Sequence, residues 1–256
     1  MSDVKSVLQT IKDNDVQYID LRFTDPKGKW QHLAMDVRVM DEDMFAEGIM
    51  FDGSSIEGWK AINESDMTLM PDPATAVMDP FAAQASLIIF CDVVEPSTGE
   101  GYVRDPRSTV RRAENYLKFT GIGDTAYFGP EAEFFIFDDV RFANDSHNTF
   151  FSIDQEEGPY NTGRNYEGGN MGHRPRLKGG YFPVPPVDSM ADIRAEMLTI
   201  TREMGLRTEK HHHEVAPAQA ELGMEFGPIL QMADELQIYK YVVHNVAHSY
   251  GKTATF

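Results

Sequence analysis

Ser86-Leu-Ile-Ile-Phe-Cys-Asp-Val-Val94, then Glu95-Pro-Ser-Thr-Gly99, then Asp105-Pro106, is the stretch on which the division of this chain turns. The first segment is a run of apolar and β-branched residues with the length of a buried strand. Glu95 to Gly99 is turn chemistry that stops it. Asp105 and Pro106 then open a helix, because Asp accepts from the free N–H groups of a first turn and Pro suits its first position. A strand-rich region precedes the break, and a region alternating strand and helix follows it.

Working upstream, Val4, Val7, Leu8 and Ile11 recur at helical spacing behind a Ser2 or Asp3 cap. Val16–Thr24 and Trp30–Val39 alternate in the manner of strands around the turn Asp25-Pro-Lys-Gly28, which predicts a hairpin. Gly48–Trp59 is a glycine- and serine-rich loop. Helix first and strands after it predict a small α+β domain over residues 1–103. Downstream, Val110, Ala113 and Leu117 share one face of a helix that ends near Gly121, and a strand runs through Phe137. Asn144–Lys178 is polar and rich in Gly and Asn, a long loop of the kind that is either functional or disordered. Ser189 is the expected cap of a helix carrying Ile193, Met197, Ile200 and Met204. Residues 206–215 read as a strand, and Ile229–Tyr250 as a long helix closed by Gly251. Residues 104–256 form the second expected domain.

Composition excludes several classes. The 256 residues carry 23 Lys and Arg against 41 Asp and Glu, a formal net charge of -18. So acidic a surface repels nucleic-acid phosphates and anionic lipid heads, and no basic patch offsets it. The single cysteine, Cys91, lies in an apolar run, has no intrachain partner and fits a reduced, cytoplasmic compartment. Met1–Asp15 lacks the apolar core of a signal peptide, and no apolar run is long enough to span a membrane.

Two constellations carry chemistry. In Phe128-Gly-Pro-Glu-Ala-Glu-Phe-Phe-Ile-Phe137, strand alternation puts Glu131 and Glu133 on one face, about 7 Å apart, with Phe134 and Ile136 on the other. Neighbouring acids repel each other, so such a pair suits either water or cations between them. The second is His211-His-His-Glu214 with Glu221 seven residues on; here His212 and Glu214 share one face, His211 and His213 the other. Three histidines suggest zinc, but adjacent strand residues diverge and no cysteine is at hand. Carboxylates at Glu131, Glu133, Glu214 and Glu221 suit oxygen-seeking Mg²⁺ or Mn²⁺ better.

With these in place, a resemblance emerges. Phe51-Asp-Gly-Ser-Ser, Asn63-Glu-Ser-Asp-Met, Gly129-Pro-Glu-Ala-Glu-Phe-Phe, Lys178-Gly-Gly-Tyr-Phe-Pro-Val-Pro-Pro, His211-His-His-Glu-Val-Ala and Ile238-Tyr-Lys-Tyr-Val-Val-His-Asn-Val-Ala, in that order, resemble bacterial type I glutamine synthetase over nearly the whole chain. The resemblance implies a β-grasp domain followed by the first part of an α/β catalytic domain with a curved sheet. It implies that Glu133, Glu214 and Glu221 ligate one Mg²⁺ or Mn²⁺ and Glu131 a second, which bridges the phosphates of ATP. Glu209 and Phe226 match nucleotide-contacting positions and Tyr181 the ammonium pocket. Asp52 and Ser55 match the loop that completes a neighbouring subunit's site, where Asp52 holds or deprotonates ammonium. Glutamate, ammonium and ATP are the implied substrates, and a dodecamer of two stacked rings the implied homo-oligomer.

One departure is Ala220, where relatives often carry a polar residue or His beside the matching glutamate. The other is that motifs supplying further metal ligands and glutamate-binding arginines are not in this chain. A ligase joining glutamate to an amine other than ammonia, and a truncated, non-catalytic metal- or partner-binding homologue, are the alternatives. The expectation is that the 256-residue chain alone makes no glutamine. ATP-, metal- and glutamate-dependent glutamine formation by the purified chain would overturn it.

Overall fold

The computed structural model describes residues 3–158 and 172–256. By internal contacts the chain divides into two compact units, Met1–Phe128 with Gly227–Asp234, and Gly129–Phe226 with Glu235–Phe256.

The first unit opens with helix α1 (Val4–Asp13), and its cap is Asp3, whose side chain accepts from the Ser6 N–H at 2.8 Å. Strands β1 (Tyr18–Thr24) and β2 (Trp30–Asp36) form the expected hairpin, though β2 gives way to a 3₁₀ turn at Val37. Asp25 fixes the bend by accepting from the N–H groups of Lys27 and Lys29. Helix α2 (Glu42–Glu47), β3 (Ile49–Asp52), β4 (Asp66–Pro71), β5 (Val77–Met78), β6 (Ser86–Val94), helix α3 (Pro106–Thr120) and β7 (Tyr127–Phe128) follow. The sheet order is β2-β1-β6-β4-β3, with β5 also on β6, and β1 and β6 run parallel. The central β6 is covered on both faces, which is why its apolar run is continuous rather than alternating. Cys91 is fully buried there, and burial pushes its thiol pKa well up. The Gly48–Trp59 segment is not wholly loop: Ile49–Asp52 pairs with β4. Its four residues carry too short a pattern to announce a strand, and pairing with β4 decides it.

Helix α3 starts as expected, with Asp105 accepting from the Ser108 N–H and hydroxyl. Its second residue, Arg107, is 8% exposed and reaches three carboxylates: Asp72 at 2.8 Å, Asp92 at 2.7 Å and Asp234 at 2.9 Å. Arg111 adds a second cation to Asp72 and Asp92. Burial raises the Asp234 pKa despite Arg107, whereas at Asp72 the arginines outweigh burial and lower it.

The second unit contains β8 (Glu133–Phe137), the hairpin β9 (Asp139–Asn144) and β10 (Thr149–Asp154), helix α4 (Ala191–Glu203), β11 (Thr208–His213) and β12 (Gln219–Met224). The two-residue β13 (Gly227–Pro228) belongs to the first unit, where it pairs with β7; helix α5 (Ile229–Ser249) and β14 (Thr253–Thr255) end the chain. The sheet runs β11-β12-β8-β14, and α4 packs against β11. The polar stretch expected as a loop begins inside the β9–β10 hairpin; its residues 159–171 lie outside the described residues.

The expected Ser189 cap is not made. Met190 occupies the cap position of α4, and the Ser189 hydroxyl is spent on Glu157 at 2.6 Å. Glu157 is 2% exposed and also accepts from the Ser189 N–H at 3.1 Å, the Ala218 N–H at 2.8 Å and His213 Nε2 at 2.6 Å. The other ring nitrogen of His213, Nδ1, meets the Glu214 carbonyl at 2.6 Å. Two acceptors on one imidazole favour its doubly protonated form. Burial pulls the His213 pKa down, but Glu157 more than offsets that and raises it; burial likewise opposes, and fails to prevent, a lowered Glu157 pKa. The pair thereby ties the β11–β12 connection to the start of α4.

Two outcomes follow from these buried charges. Arg107→Leu strands three carboxylates, and urea unfolding will report a loss of about 3–5 kcal/mol. A raised His213 pKa contributes stability that is complete below its ordinary value of 6.5 and is withdrawn as pH climbs through the folded value. The lowered Glu157 pKa adds stability that is present above its ordinary 4.5 and is lost as pH falls through the folded value. In His213→Gln, the decline of the unfolding midpoint above pH 6.5 will therefore be shallower than in the unmodified chain.

Candidate metal centre

Three adjacent strands of the second unit line up one row of side chains. In the register of β11, β12 and β8, His212 lies opposite Glu221, and Glu221 opposite Glu133. Glu214 follows just past the end of β11. His212 Nδ1 stands 3.3 Å from Glu214 Oε1, and its Nε2 3.6 Å from Glu221 Oε2. One ligand atom from each of His212, Glu214 and Glu221 falls within 4.8 Å of the others. Glu214 and Glu221 are 8% and 9% exposed, while Glu133 and Glu131 are open to solvent.

Burial raises the Glu221 pKa, and the negative charges of Glu131, Glu214 and Glu133 add to the rise, with His212 opposing it. The charges of the other three sequence-predicted carboxylates therefore all bear on Glu221. Glu131 differs in its support: β8 begins at Glu133, so Glu131 precedes the strand rather than belonging to it. Gln219 Nε2 donates to Glu133 Oε2 at 2.6 Å and steadies that side chain.

The donor set is rich in oxygen, with one imidazole. His211 and His213 point away from it; β11 alternation puts them on the other face, where His213 is locked to Glu157. A histidine-only zinc site is therefore not assembled. His212 Nδ1 is buried and makes no hydrogen bond, with Glu214 Oε1 3.3 Å away. These features fit Mg²⁺ or Mn²⁺. His212 is the residue the carboxylate reasoning missed, although its parity with Glu214 was the available signal. Ala220 leaves no gap in this cluster: it faces the opposite side, fully buried between His213 and Phe134 in the register.

The remaining positions surround the row or lie apart from it. Tyr181 stacks on Phe182 with ring centres 4.0 Å apart, and the Phe182 ring meets His212 edge-on at 4.9 Å. The approach needs Gly180, because a Cβ there would come within 2.6 Å of the Glu214 carbonyl and 2.7 Å of the His213 ring. Glu209 is exposed, and the ladder shifts register between Thr208 and Lys210, so it is the extra residue of a bulge that re-aims its side chain. Phe226 is an exposed ring whose carbonyl accepts from Arg207 at 3.1 Å. Asp52 and Ser55 belong to the first unit. There the Asp52 carboxylate accepts from the Ser54 N–H at 2.8 Å, the Ser54 hydroxyl at 2.6 Å and the Ser55 hydroxyl at 2.8 Å. Those donors, Ser54 first, lower its pKa and keep it ionised. Ser54 was not among the residues singled out from sequence. Among the described residues no helix is long and apolar enough to cross a membrane.

Comparison with known proteins places the chain in a family. A family model described as "Glutamine synthetase, catalytic domain" matches residues 103–256, and one described as "Glutamine synthetase, beta-Grasp domain" matches residues 15–96. The glutamine synthetase of Rhizobium meliloti (strain 1021) is 64% identical over 256 residues, covering 100% of this chain and 55% of that protein. That of Escherichia coli (strain K12) is 59% identical over 251 residues, covering 98% of this chain and 54% of its own length. The chain thus spans about half the length of the curated relatives it matches. A cryoEM structure of Plasmodium falciparum glutamine synthetase superposes with a TM-score of 0.90 at 27% identity, over 100% of this chain and 50% of that one. The expected α+β architecture, with a β-grasp region ahead of a catalytic-domain region, is the one found. On the sequence motifs, the fold and these matches together, the chain belongs to the glutamine synthetase family.

Proposed function

We propose that this chain carries the β-grasp domain (residues 1–103) and the opening part of the catalytic domain (residues 104–256) of an ATP-dependent glutamate–ammonia ligase. The observation that carries this reading is the convergence of His212, Glu214 and Glu221 on one point, with Glu133 opposite Glu221 in the strand register. Glu133, Glu214 and Glu221 would hold one Mg²⁺ or Mn²⁺, and Glu131 would contribute to a second. The ions, when bound, would neutralise phosphoryl charge; the glutamate γ-carboxylate would attack the γ-phosphate of ATP, breaking its bond to the β-phosphate oxygen and releasing ADP to leave γ-glutamyl phosphate. Ammonia then displaces phosphate from the γ-glutamyl phosphate, which yields glutamine.

The chain's own groups have distinct tasks in that scheme. Exposed Phe226 and Glu209 would contact the nucleotide. Tyr181 lines the pocket for ammonium. Asp52, held ionised by Ser54 and Ser55, binds the cation and takes its proton, because only the neutral amine is a nucleophile. That latch favours ammonia over a bulkier amine as acceptor. Asp52 and Ser55 would serve a neighbouring copy's site, within a homo-oligomer that in this family is a dodecamer. The buried thiol of Cys91 suits a reduced, cytoplasmic setting.

The test is direct. Titration calorimetry of the 256-residue chain with Mn²⁺ will show binding that Glu221→Gln and Glu214→Gln each weaken by tenfold or more, while Glu209→Gln leaves it unchanged. Equal affinity in all four proteins would remove the metal centre from the account.

A further inference from the structure

Tyr239 lies on α5, is 0% exposed and has no place in the chemistry above. Its hydroxyl nevertheless sits inside a β-ladder. The β12–β8 register runs Gln219 opposite Phe135, Ala220 opposite Phe134 and Glu221 opposite Glu133. The Ile136 N–H bonds the Ala218 carbonyl at 3.1 Å, which sets the phase of the hydrogen bonds. Continued by one residue, that register brings Leu222 opposite Ala132, in phase for a direct N–H···O bond of about 2.9 Å. The direct bond is replaced. The Leu222 N–H donates to Tyr239 Oη at 3.1 Å, and Tyr239 Oη donates to the Ala132 carbonyl at 2.7 Å.

The consequence falls on the carboxylates. Ala132 is the residue between Glu131 and Glu133, and Leu222 is the residue after Glu221. One hydroxyl therefore fixes the peptide before Glu133 and the peptide after Glu221, and holds the two strands an oxygen atom apart where they diverge. The ring is held on two sides, edge-on against Phe134 at 6.2 Å and tilted against Phe256 at 5.8 Å. We propose that Tyr239 is a positioning residue: its hydroxyl, inserted between β8 and β12, sets the spacing of Glu131 and Glu133 from Glu221 and so the affinity of the cluster for divalent cations. The proposal rests on the metal reading above and adds a residue to it.

Tyr239→Phe removes only that oxygen. The strands then either close on each other or leave two buried backbone groups bare, and both change the spacing. Mn²⁺ binding to the 256-residue chain can be followed by loss of the free-ion electron paramagnetic resonance signal, well below the melting temperatures of both proteins. The expected result is a 10- to 100-fold weaker affinity in Tyr239→Phe, the range typical when a group supporting metal ligands is lost. A hydroxyl that served stability alone would lower the melting temperature and leave the affinity unchanged, which overturns the proposal. Absence of Mn²⁺ binding by the unmodified chain would overturn the metal reading itself and the proposal with it. A second measurement needs no variant. Mg²⁺ added to the unmodified chain will slow hydrogen exchange at the Leu222 amide, because bound cation clamps the fork that Tyr239 bridges; an unchanged rate also overturns the proposal.

Discussion

Mutual repulsion among Glu131, Glu133, Glu214 and Glu221 is the constraint to which the second unit is built. Burial raises the Glu221 pKa and the neighbouring carboxylates add to the rise; without fixed backbone such like charges would swing apart into water. The sheet prevents this by register: three strands present His212, Glu221 and Glu133 in a row. The connection that returns β11 to β12 is pinned from behind by Glu157, through His213 and the Ala218 N–H. The repulsive face is thus backed by an attractive one, an imidazolium–carboxylate pair shielded from solvent. Gly180 completes the arrangement by letting the Tyr181–Phe182 segment lie against Glu214 and His213 without a clash.

The first unit meets a related gathering of carboxylates with cations of its own. Asp72, Asp92 and Asp234 gather around Arg107, with Arg111 sharing two of them. Such a cluster fixes where α3 lies on the sheet more specifically than apolar packing would, because each carboxylate accepts from a particular guanidinium edge. Asp52 shows a smaller version. Three donors from the two serines after it hold a solvent-exposed carboxylate in one orientation, and the proposed handling of ammonium draws on that order.

Legibility in the sequence followed the strength of local physics. Ser86–Val94 could be read as a central strand because burial on both faces leaves an unbroken apolar run. Helix α3 could be read from Asp105-Pro106 because capping is local chemistry. Ser189 misled for the same reason in reverse: a good cap residue was claimed by Glu157, 32 positions earlier, and no local pattern encodes that. The strand Gln219–Met224 carries little β-propensity and owes its form to partners on both sides. In the candidate site, parity placed Glu131 with Glu133 and His212 with Glu214, but not the meeting of the two pairs. That meeting depends on the order β11-β12-β8, a property of the folded sheet. Tyr239 was beyond reach, since a helical tyrosine at core spacing announces only packing.

Cys91 gives the first unit an internal clock. Its sulfur is sealed in the middle of β6, and its raised pKa leaves almost no thiolate even where reagent penetrates. An alkylating label can react only during excursions that expose the central strand. With no second thiol in the chain, the rate of that one modification reads how often the sheet opens, with no added probe.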